Sequence, residues 1–316
     1  MPKISVIICH HFGNLIERCL ESLKDKGLEI IVITSDLSYK TKHKVILKRT
    51  NINNPSLKRN LGSELATGDY IVFMDEDVEV TQHCIRRMSD ILDKELQVGM
   101  VYATLMKMDD HKKFDTSGSF LTWCGFLNET YESRTELFTK VLASKSACCM
   151  IRKNLFYEVG KFDKDFVIYA EETDLSWRVW NYGYQVVVRN DAIAYHAFET
   201  KLKPENFYNK QFVYYHGCKN YITMLLKNLP PKMLYIALLN ASVWFAMACF
   251  MFIKNRQASI WIFQGLWYNV KNFRYIWKKR KKNRVWGDYY PAITKNPPLF
   301  YYFNRFREYL KSGKHG

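Results

Sequence analysis

Residues 4–9 (ISVIIC) form an unbroken, largely β-branched apolar run, and polar HHFGN follows at once. A run of that length predicts a buried strand and is too short and abruptly ended for a signal peptide. Residues 14–26 carry Leu15, Cys19, Leu20 and Leu23 at helical spacing, and the pattern stops before Gly27. Two further strand patterns follow, EIIVIT at 29–34 and KVILK at 44–48. Pro55 opens a helical segment that ends near Gly68, and DYIVFM (69–74) predicts a fourth strand whose apolar run breaks into Asp75-Glu76-Asp77. Thr81 is the expected N-cap of a helix with Ile85, Met88, Ile91 and Leu92 on one face, and VGMVYATLM (98–106) is the next strand. This alternation predicts an α/β fold with a doubly wound sheet, which binds its ligands at the carboxyl ends of the strands.

Beyond that point the pattern loosens. Residues 107–143 are polar and irregular and predict a long loop or small insertion. SACCMIR (146–152) resumes the strand pattern, followed by a short helix at 154–159, the acidic string YAEETDLSWRVWNYGY, and two short strands, VVV and AIAYH. From about residue 205 an aromatic helix runs to Pro230-Pro231. Residues 234–253 then carry no charge over twenty positions, enough to span an apolar bilayer core of about 30 Å. A shorter apolar run (258–270) and the basic cluster Lys278, Lys279, Arg280, Lys281, Lys282 and Arg284 complete the region. The expected division is an α/β domain over 1–204 and a helical, membrane-associated region over 205–316.

Charge sharpens that division. Residues 201–316 hold 21 Lys/Arg against 3 acids, whereas the first 200 residues hold 26 against 28. A nearly neutral front joined to a basic, aromatic-rich back is not a uniformly basic nucleic-acid coat. The eight cysteines show no CxxC and no zinc-type Cys/His spacing, and several lie in apolar strings, which suits free thiols in a reducing cytoplasm.

Three constellations carry candidate chemistry. Asp75 and Asp77 stand one residue apart just past a buried strand, where hard oxygen ligands suit Mg²⁺ or Mn²⁺ bridging a nucleotide diphosphate; a solvated acidic turn is the alternative. Glu171-Glu172-Thr173-Asp174 begins a helix, where carboxylates serve as N-terminal caps or as a general base. His196, after a short strand, is a metal ligand or an ordinary core histidine.

Taken together and in order, SVIICHHFGNLIERCLESL, PSLKRNLGSELATGDYIVFMDED and ACCMIRKNLFYEVGKFDKDFVIYAEETDLSWRVWNYGYQVVVRNDAIAYH resemble glycosyltransferase family 2, most closely its rhamnosyltransferase-like branch. The resemblance runs from about residue 3 to 228. It implies a GT-A fold, a single nucleotide-binding α/β domain with an attached acceptor half. It implies a metal and diphosphate site at Asp75 and Asp77, with His196 as the later metal ligand. The catalytic base falls at Glu172, where the family usually has Asp, with Asp174 as the alternative. Arg59 and Asn60 match an element lining the nucleotide pocket, and Glu76 lies between the two aspartates. Cys9-His10-His11 stand where Thr-Tyr-Asn is common, and Thr34 where an Asp usually touches the nucleoside, with Asp36 nearby as a substitute; Cys9, His10, Thr34 and Asp36 complete the expected nucleotide-sugar contacts. The implied reaction is metal-dependent, inverting transfer of rhamnose or another hexose from a UDP-, dTDP- or GDP-sugar to a lipid-linked or oligosaccharide acceptor. A processive polysaccharide synthase is disfavoured because QxxRW and a multi-span channel are missing from the sequence. A membrane-anchored nucleotide-sugar-binding scaffold without catalysis is the remaining alternative.

The tail is expected to bind a membrane surface rather than nucleic acid, since Trp, Tyr, Lys and Arg flank apolar helices. Nucleotide sugars place the catalytic domain at the cytoplasmic face. Basic residues on both sides of 234–253 favour an in-plane or re-entrant hairpin with lysines on anionic head groups.

Overall fold

The computed structural model describes residues 3–197 (except 12, 14, 25 and 26), 210–281, 289 and 293–295. The first half follows the alternation closely: β1 (Ile4–His10), α1 (Leu15–Ser22), β2 (Glu29–Thr34), β3 (Ile46–Arg49), α2 (Pro55–Leu65), β4 (Tyr70–Asp75), β5 (Val78–Val80), α3 (Cys84–Lys94) and β6 (Val98–Lys107). The region expected to be an irregular loop instead contains β7 (Phe114–Thr116), β8 (Ser119–Leu121), β9 (Leu127–Glu129) and β10 (Phe138–Lys140). Strands of three residues are too short for a two-residue period to stand out, so pairing partners define them. The chain continues through β11 (Cys148–Arg152), α4 (Lys153–Glu158), α5 (Glu171–Asn181) and β12 (Gln185–His196). The two strands expected at VVV and AIAYH are one strand, β12, with an irregularity between Arg189 and Ile193.

The main sheet runs β10-β12-β6-β11-β4-β1-β2-β3, with β5 added to β12 and β7 to β6. β1, β2, β3 and β4 are parallel neighbours, and β11 is antiparallel to both β4 and β6. Because β12 runs parallel to β6, the carboxyl ends of β1, β2, β4, β6 and β12 share one edge. Both faces of the sheet are covered. Ile7, Ile71, Phe73, Tyr102 and Cys149 face one core, and Val6, Ile8, Val72, Met74 and Cys148 face the other, the alternation of a strand buried on both sides. Gly62 of α2 lies so close to Ile7 that an added Cβ would collide with its side chain, which lets the helix press onto the sheet.

Thr81 does not cap α3. Its hydroxyl donates to the Ile193 carbonyl at 2.9 Å, tying the β5 end to β12, while His83 takes the N-cap position without a side-chain bond. All eight cysteines are free.

The C-terminal helices are α6 (Lys210–Asn228), a 3-10 turn (Pro231–Met233), α7 (Tyr235–Lys254), α8 (Arg256–Lys271) and α9 (Phe273–Arg280). Ser259 on α8 donates to the Ala248 carbonyl on α7 at 2.8 Å, so the two form a hairpin turning at Asn255. Met224, Leu225, Leu229, Ile236 and Ala237 join the same core as Phe73 and Trp177. Among the described residues one helix, 231–254, is long and apolar enough to cross a membrane by length and composition alone, and 33% of its apolar window is buried. The basic cluster is not a uniform outer face. Lys279 pairs with Asp163 and Asp165, and Arg280 is buried and donates to the Leu226 carbonyl at 2.8 Å. Lys278 and Lys281 are exposed, and Lys282 and Arg284 lie outside the described residues.

Candidate active site

β4 carries five buried residues and then Asp75, half-exposed at the sheet edge. The chain turns there into β5, which pairs antiparallel with β12 so that His196 lies opposite Val78. That pairing carries His196 across 119 positions of sequence to Asp77; its Nε2 is 3.4 Å from Asp77 Oδ1. Ligand atoms of Asp75, Asp77 and His196 all lie within 4.8 Å of one another. The other ring nitrogen of His196 is 2.8 Å from Asp115 Oδ2, and Asp115 Oδ1 is 2.7 Å from Lys145 Nζ. Two carboxylates and an imidazole suit a divalent ion, and a carboxylate on the far nitrogen is how metal-bound histidines are oriented. Burial opposes protonation of His196, but the bonds to Asp115 and Asp77 outweigh it and push its pKa up to about 9. Burial raises the Asp115 pKa, yet His196 and Lys145 hold it below the ordinary value. Neither Asp115 nor Lys145 was expected from the sequence; the two-residue register between β6 and β7 places Asp115, and no local motif signals it.

Arg59 joins this site to the acidic helix. One guanidinium nitrogen is 3.0 Å from Asp75 Oδ1, another is 3.3 Å from Glu171 Oε1, and the group stands 5.2 Å from the centre of the Phe162 ring. Glu172, next in the chain, is half-buried. Its carboxyl is raised well above the ordinary value by burial and then by neighbouring Glu171, with Arg59 pulling the other way. A carboxylate shifted upward is a stronger proton acceptor than a solvated one. The backbone leading into it is strained: Tyr169 (φ 64°) and Ala170 (φ 66°) are consecutive left-handed residues, a conformation that costs of order 1–3 kcal/mol per residue outside glycine.

Asp174 is not a second candidate base. It is fully buried, 2.9 Å from Arg178 and 2.7 Å from Lys227, and accepts from Asn228 at 2.8 Å, so no acceptor can reach it. Two residues of helix, about 200° of rotation, separate the two fates: Glu172 lies on the side of Arg59 and Asp174 on the side of α6.

The expected nucleotide contacts divide in the same way. His10 and Thr34 are buried partners of one another, with Nδ1 to Oγ1 at 2.8 Å, and the remaining nitrogen of His10 faces the Gly13 carbonyl at 3.3 Å. Both side chains are buried among these partners. Asn60 clasps the backbone of Phe162, donating to its carbonyl at 2.9 Å and accepting from its N–H at 3.0 Å, so both ends of its amide are committed. Cys9, opposite Asp75 in the β1–β4 register, is half-buried, and burial pushes its thiol up to about 11. Asp36 stands past the end of β2, and one of its oxygens accepts from Ser38. Glu76 turns back toward β1 and accepts from the His11 N–H at 2.9 Å; burial, then Asp77 and Asp75, push its pKa up to about 8. Lys58, missed in the sequence although it precedes Arg59, is buried and donates to the His10 carbonyl at 2.8 Å and to Ser35 at 2.6 Å.

Residues 5–160 match the model of Glycosyl transferase family 2. The chain is 25% identical over 235 residues to the "Probable N-acetylgalactosaminyltransferase 8" of Caenorhabditis elegans, covering 62% of this chain and 55% of that protein. It thus spans about half the length of the curated relative it matches. Among solved structures it is similar to GalNAc-T7 with UDP, GalNAc and Mn²⁺, at TM-score 0.54 and 15% identity over 74% of this chain and 53% of that one. It is also similar to S. aureus TarS 1–349 in complex with UDP-GlcNAc, at TM-score 0.56 and 14% identity over 90% and 93% of the two chains. Mannosyltransferase PcManGT from Pyrobaculum calidifontis, in complex with GDP-Man and Mn²⁺, gives TM-score 0.51 and 14% identity over 85% and 87%. At such identities the likeness establishes the GT-A fold.

Proposed function

We propose that this chain, whose residues 5–160 form a glycosyltransferase family 2 domain, moves a sugar from a nucleotide diphosphate donor to an acceptor hydroxyl with inversion at the anomeric carbon. The observation that carries the reading is the convergence of Asp75, Asp77 and His196 at the sheet edge, linked through Arg59 to the Glu171-Glu172 pair. Asp75, Asp77 and His196 would hold a divalent ion, Mn²⁺ or Mg²⁺, which when bound offsets charge on a departing diphosphate. Mn²⁺ is favoured because two of the similar structures contain it. Asp115 keeps the His196 ring turned so that Nε2 faces Asp77. Arg59 holds the Asp75 carboxylate, and Cys9, Asp36 and Glu76 border the donor side. Glu172 takes the proton from the acceptor hydroxyl as that oxygen attacks; one base and one displacement give inversion.

The donor is a UDP- or GDP-sugar by likeness to those structures, with dTDP-rhamnose the donor suggested by the rhamnosyltransferase-like branch. The outward apolar surface of α7 and α8 supports membrane association of the region from 205 onward, with a lipid-linked acceptor. Free cysteines support a cytoplasmic face for the catalytic part, 1–204.

The test uses the full chain with Mn²⁺ and UDP-GalNAc, UDP-GlcNAc, GDP-mannose or dTDP-rhamnose. One donor should raise the melting temperature, as a native-state ligand must, and release its nucleotide diphosphate. EDTA or Asp77→Ala should abolish both effects, with the ligand-free melting temperature unchanged. Failure of every donor to stabilise or react in the presence of Mn²⁺ would refute the reading, and stabilisation without nucleotide release would favour the non-catalytic scaffold.

A further inference from the structure

We infer that the C-terminal helices are a working part of the active site: Asn220 of α6 is a positioning residue that holds the strained backbone leading into Glu172. The inference rests on the reading of Glu172 as the base.

The strap from 161 to 170 joins α4 to α5. It starts at Lys161 in the left-handed region (φ 60°) and ends at Tyr169 and Ala170, both left-handed, directly before Glu171-Glu172. Ala170 is the N-cap of α5 and supplies no side-chain bond. A conformation of this kind persists only where its surroundings over-determine it. Here they do so from two sides. From α2, Asn60 clasps Phe162, and Ser56 donates to the Phe166 carbonyl at 2.7 Å. From the C-terminal helices, the amide nitrogen of Asn220 donates to the Ile168 carbonyl at 2.6 Å and to the Tyr169 carbonyl at 3.0 Å. Those two carbonyls belong to the peptide units that set the left-handed turn. Asn220 is completely buried, and its own side-chain oxygen has no partner among the described residues. A side chain serving packing alone gains nothing from that arrangement, whereas one serving two specific carbonyls does.

Charged side chains complete the grip. Lys219 donates to the Asp165 carbonyl at 2.7 Å, and Lys279 of α9 bridges Asp163 and Asp165 at 2.6 and 2.7 Å. Asn269 of α8 donates to the Lys219 carbonyl at 3.1 Å, so the apolar hairpin buttresses the part of α6 that grips the strap.

Asn220→Asp preserves shape but sets an acceptor against two carbonyls. It should lower kcat by about 10–100-fold, the scale of an ångström-level misplacement. The donor KM and the Mn²⁺-dependent shift in melting temperature should stay within about twofold and one degree. The decisive measurement is a double-mutant cycle, read as nucleotide release from whichever of the four donors above turns over. In a Glu172→Gln background, Asn220→Asp should cost less than about twofold, because the group it positions no longer accepts a proton. An equal loss in both backgrounds, or a silent Asn220→Asp beside a crippling Glu172→Gln, overturns this inference alone. A silent Glu172→Gln overturns the base assignment and this inference with it. Should Asn220→Asp fail to fold, Lys279→Gln at the half-buried outer clamp runs through the same cycle with the same expected non-additivity, and additivity there overturns the inference.

Discussion

The sheet edge and the C-terminal helices distribute polarity in opposite ways. In the sheet, apolar side chains fill both faces and the charged groups stand at the strand ends, where Asp75, Asp77 and His196 meet. In the helices, the buried side toward the sheet mixes Lys219, Asn220, Thr223, Lys227 and Asn228 with Met224, Leu225 and Leu229, while Leu238, Phe245, Phe252, Ile253 and Trp267 face outward, Ile253 at 87% exposure. A surface helix normally buries its apolar stripe. An exposed apolar patch on this scale instead marks an interaction surface. The polar joint thus fixes the helices against the sheet domain through specific bonds, and the apolar surface lies on the side away from it.

The acidic string where the regions meet offers the largest effects. Glu172→Gln keeps size and hydrogen bonding but accepts no proton, and steady-state assays should show kcat reduced roughly 10²–10⁴-fold with donor KM nearly constant. Asp174→Asn should do something different. It leaves buried Arg178 and Lys227 short of a partner, which costs about 3–5 kcal/mol in denaturant unfolding, while turnover per folded molecule stays near normal. The reverse assignment of effects would mean that the base lies on the helix side of the joint.

Truncating one residue type in each region sharpens the contrast. Phe73→Ala, in the sheet core, should cost about 3–5 kcal/mol of stability. Phe245→Ala and Phe252→Ala, at 55% and 54% exposure on α7, should each change stability by less than about 0.5 kcal/mol yet weaken flotation with phosphatidylglycerol vesicles. Large destabilisation by the α7 changes would show that this face packs against protein.

The smallest effect belongs to the β1 end. Burial, then Lys58 and His10, lower the His11 pKa from 6.5 to about 4. A depressed histidine is neutral in the fold, so between those values the unfolded chain binds more protons and stability falls as pH falls. His11→Gln should flatten the slope of melting temperature against pH between 6.5 and 4. An unchanged slope would place acid sensitivity elsewhere.

Much of this could be read from the chain alone. Long apolar runs and helical spacing located β1, β2, β4, β6, α2 and α3 to within a few residues, because burial on both sheet faces demands unbroken apolar strands and helices demand a 3.6-residue repeat. The abrupt end of β4 in Asp75-Glu76-Asp77 marked the candidate site for the same reason. What depended on pairing was hidden. Asp115 reaches His196 only because β7 and β12 both flank β6, and three residues of β7 show no period of their own. Two carboxylates two residues apart at the start of a single helix, Glu172 and Asp174, look alike in sequence; α6 distinguishes them by placing Lys227 and Asn228 against one. Lys279, part of a uniform basic run, turns inward because Asp163 and Asp165 come to face it from more than a hundred residues away. Local patterning determines what a segment must bury, whereas the partner that makes a polar group catalytic or structural is chosen only when distant segments meet.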